Sequence, residues 1–180
     1  MVLTNIPLFK VYMSPKVRNP AIETLYSGYI TQGPRVEEFE KKLREWLGVQ
    51  YINTTNSGTS ALQLALKVAG VEYKNRVIST PMTCTATNTA VRAVGGQIVW
   101  ADIDPSTGNI DPNSVEDLLK KEAWTSTSYK ANKYRIKAVM VVHWGGYPCD
   151  LDSFNYLSEK YGVKIIEDAA HAFGATYNGT

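Results

Sequence analysis

Asp168 closes an apolar, β-branched run, Val163-Lys164-Ile165-Ile166-Glu167, and Ala169-Ala170-His171 follow it. A carboxylate at the carboxyl end of a buried strand is costly unless something pairs with it. Open α/β sheets take their ligands at that end of their strands. Such an acid suits a cationic ring nitrogen on a bound molecule. A carboxylate that only caps the next turn accounts for the same residue. His171 and His143 carry the same double reading, as site residues or as hydrogen-bonded, packed histidines. With Cys149 and Asp168 they form no compact ligand spacing, so no metal centre is expected.

A second stretch, Asn56-Ser57-Gly58-Thr59-Ser60, stands before an apolar helical run. Unpaired backbone N–H groups and the helix dipole make such a start a phosphate site, to which Ser57, Thr59 and Ser60 add hydroxyls. Ser and Thr at a helix start also serve simply as caps. The stretch has neither the lysine of a Walker A loop nor a Gly-x-Gly-x-x-Gly pattern.

Both stretches need a scaffold that brings them together. Alternating apolar segments predict strands over 49–54, 76–80, 97–102, 136–143 and 163–167. Helical spacing predicts helices from about Arg35 to Leu47, over 59–69 and 86–94, from Asp111-Pro112 to about Lys121, and over 151–161. A short helix is expected around 20–27 and a surface loop over 122–134. Repeated strand–helix–strand units imply an α/β fold, a mainly parallel sheet flanked by helices in three layers. Residues 1–34, punctuated by Pro7, Pro15, Pro20 and Pro34, form an irregular N-terminal segment, and 35–180 form one domain. The segments after strands 49–54, 76–80, 136–143 and 163–167 then share one sheet edge.

Bulk properties exclude several classes. Hydrophobic residues make up 44% and charged residues 20% of 180, the profile of a soluble chain with room for a core. A net charge of +2 points to neither a nucleic-acid nor a membrane partner. There is no apolar run of membrane-spanning length and no signal-peptide pattern. Cys84 and Cys149, far apart in sequence, read as reduced thiols of a cytoplasmic protein.

A phosphate cradle and a carboxylate on one sheet edge suit a phosphorylated ring cofactor with a basic nitrogen, of which pyridoxal 5′-phosphate (PLP) is an example. Ala169 and Ala170 would let a flat ring approach the backbone. The chain at this point resembles the DegT/DnrJ/EryC1/StrS family of PLP-dependent sugar aminotransferases, of the aspartate aminotransferase fold (fold type I). The resemblance rests on Ser27-Gly28-Tyr29-Ile30-Thr31-Gln32-Gly33-Pro34 and on Asn56-Ser57-Gly58-Thr59-Ser60-Ala61-Leu62. It continues through Asp102-Ile103-Asp104-Pro105 and Val142-His143-Trp144-Gly145-Gly146-Tyr147-Pro148-Cys149-Asp150. It closes on Ile166-Glu167-Asp168-Ala169-Ala170-His171-Ala172.

The resemblance implies that Thr59 and Ser60 hold the cofactor phosphate, with Ser57 and Gly58 beside them among the cofactor-binding residues. It implies that Asp168 meets the pyridine nitrogen, with Ala170 and His171 beside the ring. Gly33, Pro34 and His143 would stand on the substrate side. It implies amino transfer from glutamate to a keto group on a nucleotide-linked deoxysugar, in a homodimer. Two departures stand out. The family's ring-stacking aromatic is missing from Met82-Thr83-Cys84-Thr85-Ala86, so Cys84 or Thr85 is expected to cover the ring. The lysine that carries the cofactor covalently is expected beyond Thr180, which makes these residues the first part of the large domain and inactive alone. A dehydratase of the same family and a non-catalytic module that binds a phosphorylated ligand are the alternatives.

Overall fold

In the computed structural model, which describes residues 10–125 and 135–179, four strands carry the architecture. They are β1 (Arg76–Ser79), β2 (Gln97–Trp100), β3 (Ile136–Val142) and β4 (Lys164–Asp168). All pairings are parallel, in the order β2-β1-β3-β4. Six α-helices accompany them: α1 (Arg18–Tyr26), α2 (Pro34–Leu47), α3 (Gly58–Val68), α4 (Thr85–Ala93), α5 (Pro112–Thr125) and α6 (Leu151–Tyr161). The expected three-layer α/β arrangement is what the chain adopts.

Strand periodicity decides which residues meet which helices. Ile78, Val139, Val141 and Ile165 point to one face, where they pack with Val115 and Leu119 of α5 and Phe154 and Leu157 of α6. Val77, Ala138, Met140 and Ile166 point to the other, against Leu66 of α3 and Ala90 and Val91 of α4. β3 is buried along nearly its whole length, as a central parallel strand covered on both faces must be. Glu116 ties α5 to α6. It accepts from Lys120 and Lys160 at 2.8 Å each and from the Tyr161 hydroxyl at 3.1 Å, and the two ammonium donors draw its carboxyl down to about 2.

The chain divides into two compact units, Met1–Thr54 and Thr55–Thr180. In the first, α1 begins two residues ahead of the expected Pro20, after a 3₁₀ turn at Pro15–Val17. Pro34 occupies the first turn of α2, where its missing N–H costs nothing. Neither helix has a buried residue. The expected strand over 49–54 does not form. Val49 and Tyr51 are exposed, and among the described residues of this unit there is no strand to complete a ladder. The Thr54 N–H and hydroxyl instead donate to the Glu40 carboxylate, both at 2.8 Å. A β-branched run without a neighbouring strand leaves its backbone groups to such local partners.

In the second unit most expected elements appear with ends moved by one or two residues. The exception is α5, which continues to Thr125 over the start of the expected loop. The rest of that loop, 126–134, lies outside the described residues. An isolated antiparallel bridge, Ile103 to Ile110, closes the Asp104–Gly108 turn.

Candidate functional site

The carboxyl ends of β1, β3 and β4 lie together because the strands are parallel and adjacent. The helices contribute their amino ends to the same edge. α3 and α4 each precede a strand through a short connection, so each runs back against the strands and starts where the strands finish. That places Ser57, Gly58, Thr59 and Ser60, Cys84 and Thr85, and Asp168, Ala170 and His171 on one edge of one unit.

At the start of α3, Ser57 is the N-cap. Its Oγ accepts the Ser60 N–H at 3.1 Å and lies 3.0 Å from the Ser60 hydroxyl. The Ala61 N–H reaches the Ser57 carbonyl. The N–H groups of Gly58 and Thr59 have no intrahelical acceptor, as at any helix start. A Cβ built on Gly58 would meet nothing within 4 Å, so packing does not require glycine there. The missing side chain leaves the N–H groups open to an anion.

Asp168 is held from three directions. Its Oδ2 accepts from the Thr87 hydroxyl at 2.6 Å. Its Oδ1 accepts from the Ala170 N–H at 3.3 Å. Its carbonyl accepts from the His143 N–H at 3.3 Å. A carboxylate offers about four lone-pair sites, and these bonds use two. The rest are available to a donor such as a protonated ring nitrogen, so the cradle and the acid fit a phosphorylated pyridine cofactor. Thr87 itself is buried on α4, and its oxygen lies 2.8 Å from the Thr83 hydroxyl. Thr87 carries neither a strand-end nor a helix-start signature in the sequence. The available signal was a polar residue at i, i+3 and i+4 spacing with the core residues Ala90 and Val91.

His143 follows the opposite parity. It shares the α5/α6 face with Glu167, whose Oε2 lies 3.0 Å from Nε2, while Nδ1 accepts the Cys149 N–H at 3.0 Å. Nδ1 therefore carries no proton, and Nε2–H donates to Glu167. The ring is 4% exposed with both nitrogens occupied. Cys149 donates its thiol to the Val142 carbonyl at 3.2 Å, and burial, with Glu167 and Asp150 nearby, pushes that thiol up to about 12. Beside this group, His143, Glu167, Ala169, Ala172 and Tyr177 line a cavity of about 200 Å³.

His171 is exposed, with its ring 6.2 Å from that of Trp144. Gly146 (φ +85°) passes so near that a Cβ there would stand 2.7 Å from the His171 carbonyl oxygen. Asn109 fixes the same loop. Its Nδ2 donates to the carbonyls of Tyr147 and Pro148, and its Oδ1 accepts the Trp144 N–H at 2.8 Å. Cys84 and Thr85 are exposed at the start of α4, and the Cys84 side chain makes no capping bond. Gly33 and Pro34 belong to the first unit, where they line a cavity of about 390 Å³ with Tyr29, Ile30 and Arg35. Among the described residues of the second unit, no lysine follows a strand's carboxyl end. Lys164 opens β4, Lys137 lies early in β3, Lys67 and Lys160 close helices, and Lys74 precedes β1.

The chain resembles known proteins. The chain is 39% identical over 155 residues to the spore coat polysaccharide biosynthesis protein SpsC of Bacillus subtilis, covering 86% of this chain and 36% of SpsC. It is 36% identical over 155 residues to UDP-2-acetamido-2-deoxy-3-oxo-D-glucuronate aminotransferase of Pseudomonas aeruginosa, covering 86% of this chain and 40% of the enzyme. Its fold superposes on the crystal structure of NtdA from Bacillus subtilis with bound cofactor PMP, at a TM-score of 0.78 and 32% identity. That match covers 91% of this chain and 34% of NtdA. The chain thus spans well under half the length of these relatives. Residues 13–180 match the DegT/DnrJ/EryC1/StrS aminotransferase family along nearly the whole chain, and the chain belongs to that family.

Proposed function

We propose that this chain supplies the cofactor-tuning half of a PLP-dependent sugar aminotransferase site. The observation that carries the reading is Asp168, oriented by Thr87 and the Ala170 N–H on the edge where α3 begins. The N–H groups of Gly58 and Thr59, with the hydroxyls of Ser57, Thr59 and Ser60, hold the phosphate. Asp168 holds a proton on the ring nitrogen by supplying the opposite charge. When bound, the cofactor supplies the electron sink that lets an amino group move between two carbonyl carbons. Ala170 and His171 border the ring, and Cys84 or Thr85 covers it. His143, whose ring nitrogens are taken by Glu167 and the Cys149 N–H on the opposite face of the sheet, has a structural part in this reading. Among the described residues of the second unit no lysine stands at this edge, so amino transfer by these residues alone is not expected.

The substrate class in this reading is a nucleotide-linked keto sugar, with glutamate as amino donor, in a cytoplasmic homodimer. The Pseudomonas relative, named as an aminotransferase of a UDP-linked 3-oxo sugar acid, supports the sugar half of it. The test uses the protein from its native reading frame with PLP, glutamate and a panel of UDP-linked 3-keto and 4-keto sugars. Formation of 2-oxoglutarate with an aminated sugar supports the reading. PLP binding with no amino transfer to any of the panel would favour the second reading, a non-catalytic ligand-binding module. The absence of a lysine at the carboxyl edge among the described residues motivates that alternative.

A further inference from the structure

We infer that Thr83 and Thr87 form a one-way hydroxyl relay that positions Asp168 for its ligand, making Thr87 a positioning residue of the site. The inference rests on the PLP reading of Asp168. A carboxylate only accepts, so the 2.6 Å bond commits the Thr87 proton to Asp168 Oδ2. The 2.8 Å bond between the two threonine hydroxyls then has one direction, with Thr83 donating to Thr87. The chain runs Thr83 O–H to Thr87 O–H to Asp168, each step polarising the next.

Packing does not account for the hydroxyl. Thr87 is 1% exposed on the face of α4 that also buries Ala90 and Val91, where an apolar side chain of the same shape would suffice. A threonine within a helix ordinarily donates back to a carbonyl one turn earlier. Thr87 instead spends its proton on a residue 81 positions away. The competing restraint on the carboxylate, from the Ala170 N–H, is longer at 3.3 Å. Charge-assisted bonds to a carboxylate are about twice as strong as neutral ones, and the short Thr87 bond is the firmer of the two. Without it the carboxyl group turns about its last bond, and the lone pairs left for the ligand lose their direction.

The test measures equilibrium binding of pyridoxamine 5′-phosphate, which needs no covalent lysine, by the protein from its native reading frame. Thr87→Val keeps the shape and removes the donor, and binding should weaken roughly tenfold. Thr87→Ser restores a hydroxyl donor and should bind within about threefold of wild type. In an Asp168→Ala background Thr87→Val should cost nothing further, because its effect runs through that carboxylate. Thr87→Ala, which removes the same donor without a branched methyl, gives the same reading if Val lowers the melting temperature of the ligand-free protein. Unchanged affinity in Thr87→Val, with Asp168→Ala clearly weakened, overturns the relay alone. Equal losses from Thr87→Val in both backgrounds also overturn it, since they would mark a purely structural part. If Asp168→Ala itself leaves affinity unchanged, the PLP reading falls and the relay with it.

Discussion

Asp168 and His143 stand at the ends of neighbouring strands, yet on opposite faces of the sheet they have opposite characters. On the α3/α4 side, Asp168 is only partly buried, is held by neutral hydroxyl and amide donors, and keeps unused lone pairs. On the α5/α6 side, His143 is buried with both ring nitrogens spent on Glu167 and the Cys149 N–H. One face closes its polar groups on each other, and the other leaves a carboxylate to be completed from outside. A single residue of register separates them, because successive strand residues alternate faces. Chemically suggestive residue types thus become a site only where the local hydrogen-bond accounting remains open.

The two cysteines probe this difference most strongly. At pH 8, a thiol pushed up to about 12 has a thiolate fraction roughly a thousandfold below that of one at its ordinary value, and reactivity follows the thiolate. Cys84, exposed at the start of α4, should react promptly with a disulfide reagent, and Cys149 only after denaturation. Fast labelling of both thiols in the native protein would break the contrast. The raised value also sets a sign. Stability from keeping Cys149 as a thiol is complete below its unfolded value near 9.0 and is lost as pH rises toward about 12.

Substitutions sharpen the comparison further. Gly146→Ala combines a positive φ with a backbone clash at 2.7 Å and should destabilise the fold by about 2–4 kcal/mol in urea unfolding. His143→Leu leaves the Cys149 N–H without its acceptor and should cost about 1–3 kcal/mol. In the folded fraction it should leave pyridoxamine 5′-phosphate binding within a small factor of wild type. A stable His143→Leu protein with impaired binding would move His143 onto the open face. The smallest effect is expected at the α3 cap, where Ser57→Ala should cost about 1 kcal/mol of stability. Weaker phosphate-dependent ligand binding should accompany it.

Much of this was legible in the chain. Apolar periodicity located the strands of the sheet, and proline and glycine placed several helix ends. Asp168 and Ser57 were readable because strand ends and helix starts carry their own signatures. The failure at 49–54 shows the limit of local pattern, since a strand exists only if a partner offers a ladder, and pairing is not written in the run itself. Thr87 shows a second limit. Its partner lies 81 residues away, and only the packing of α4 against β4 brings them to 2.6 Å. His143 lay between these cases, because its residue type was conspicuous and its face could be counted from the alternation along β3. Its saturation by Glu167 and Cys149 depended on tertiary contacts.

The central claim is that the unused valence of Asp168 belongs to the ring nitrogen of a phosphorylated pyridine cofactor. Calorimetric titration of wild type and Asp168→Ala with pyridoxamine 5′-phosphate tests it most directly. The account predicts at least a tenfold loss of affinity, the scale of one charge-assisted bond, with the melting temperature of the ligand-free protein nearly unchanged. Equal affinity in the two proteins would contradict it.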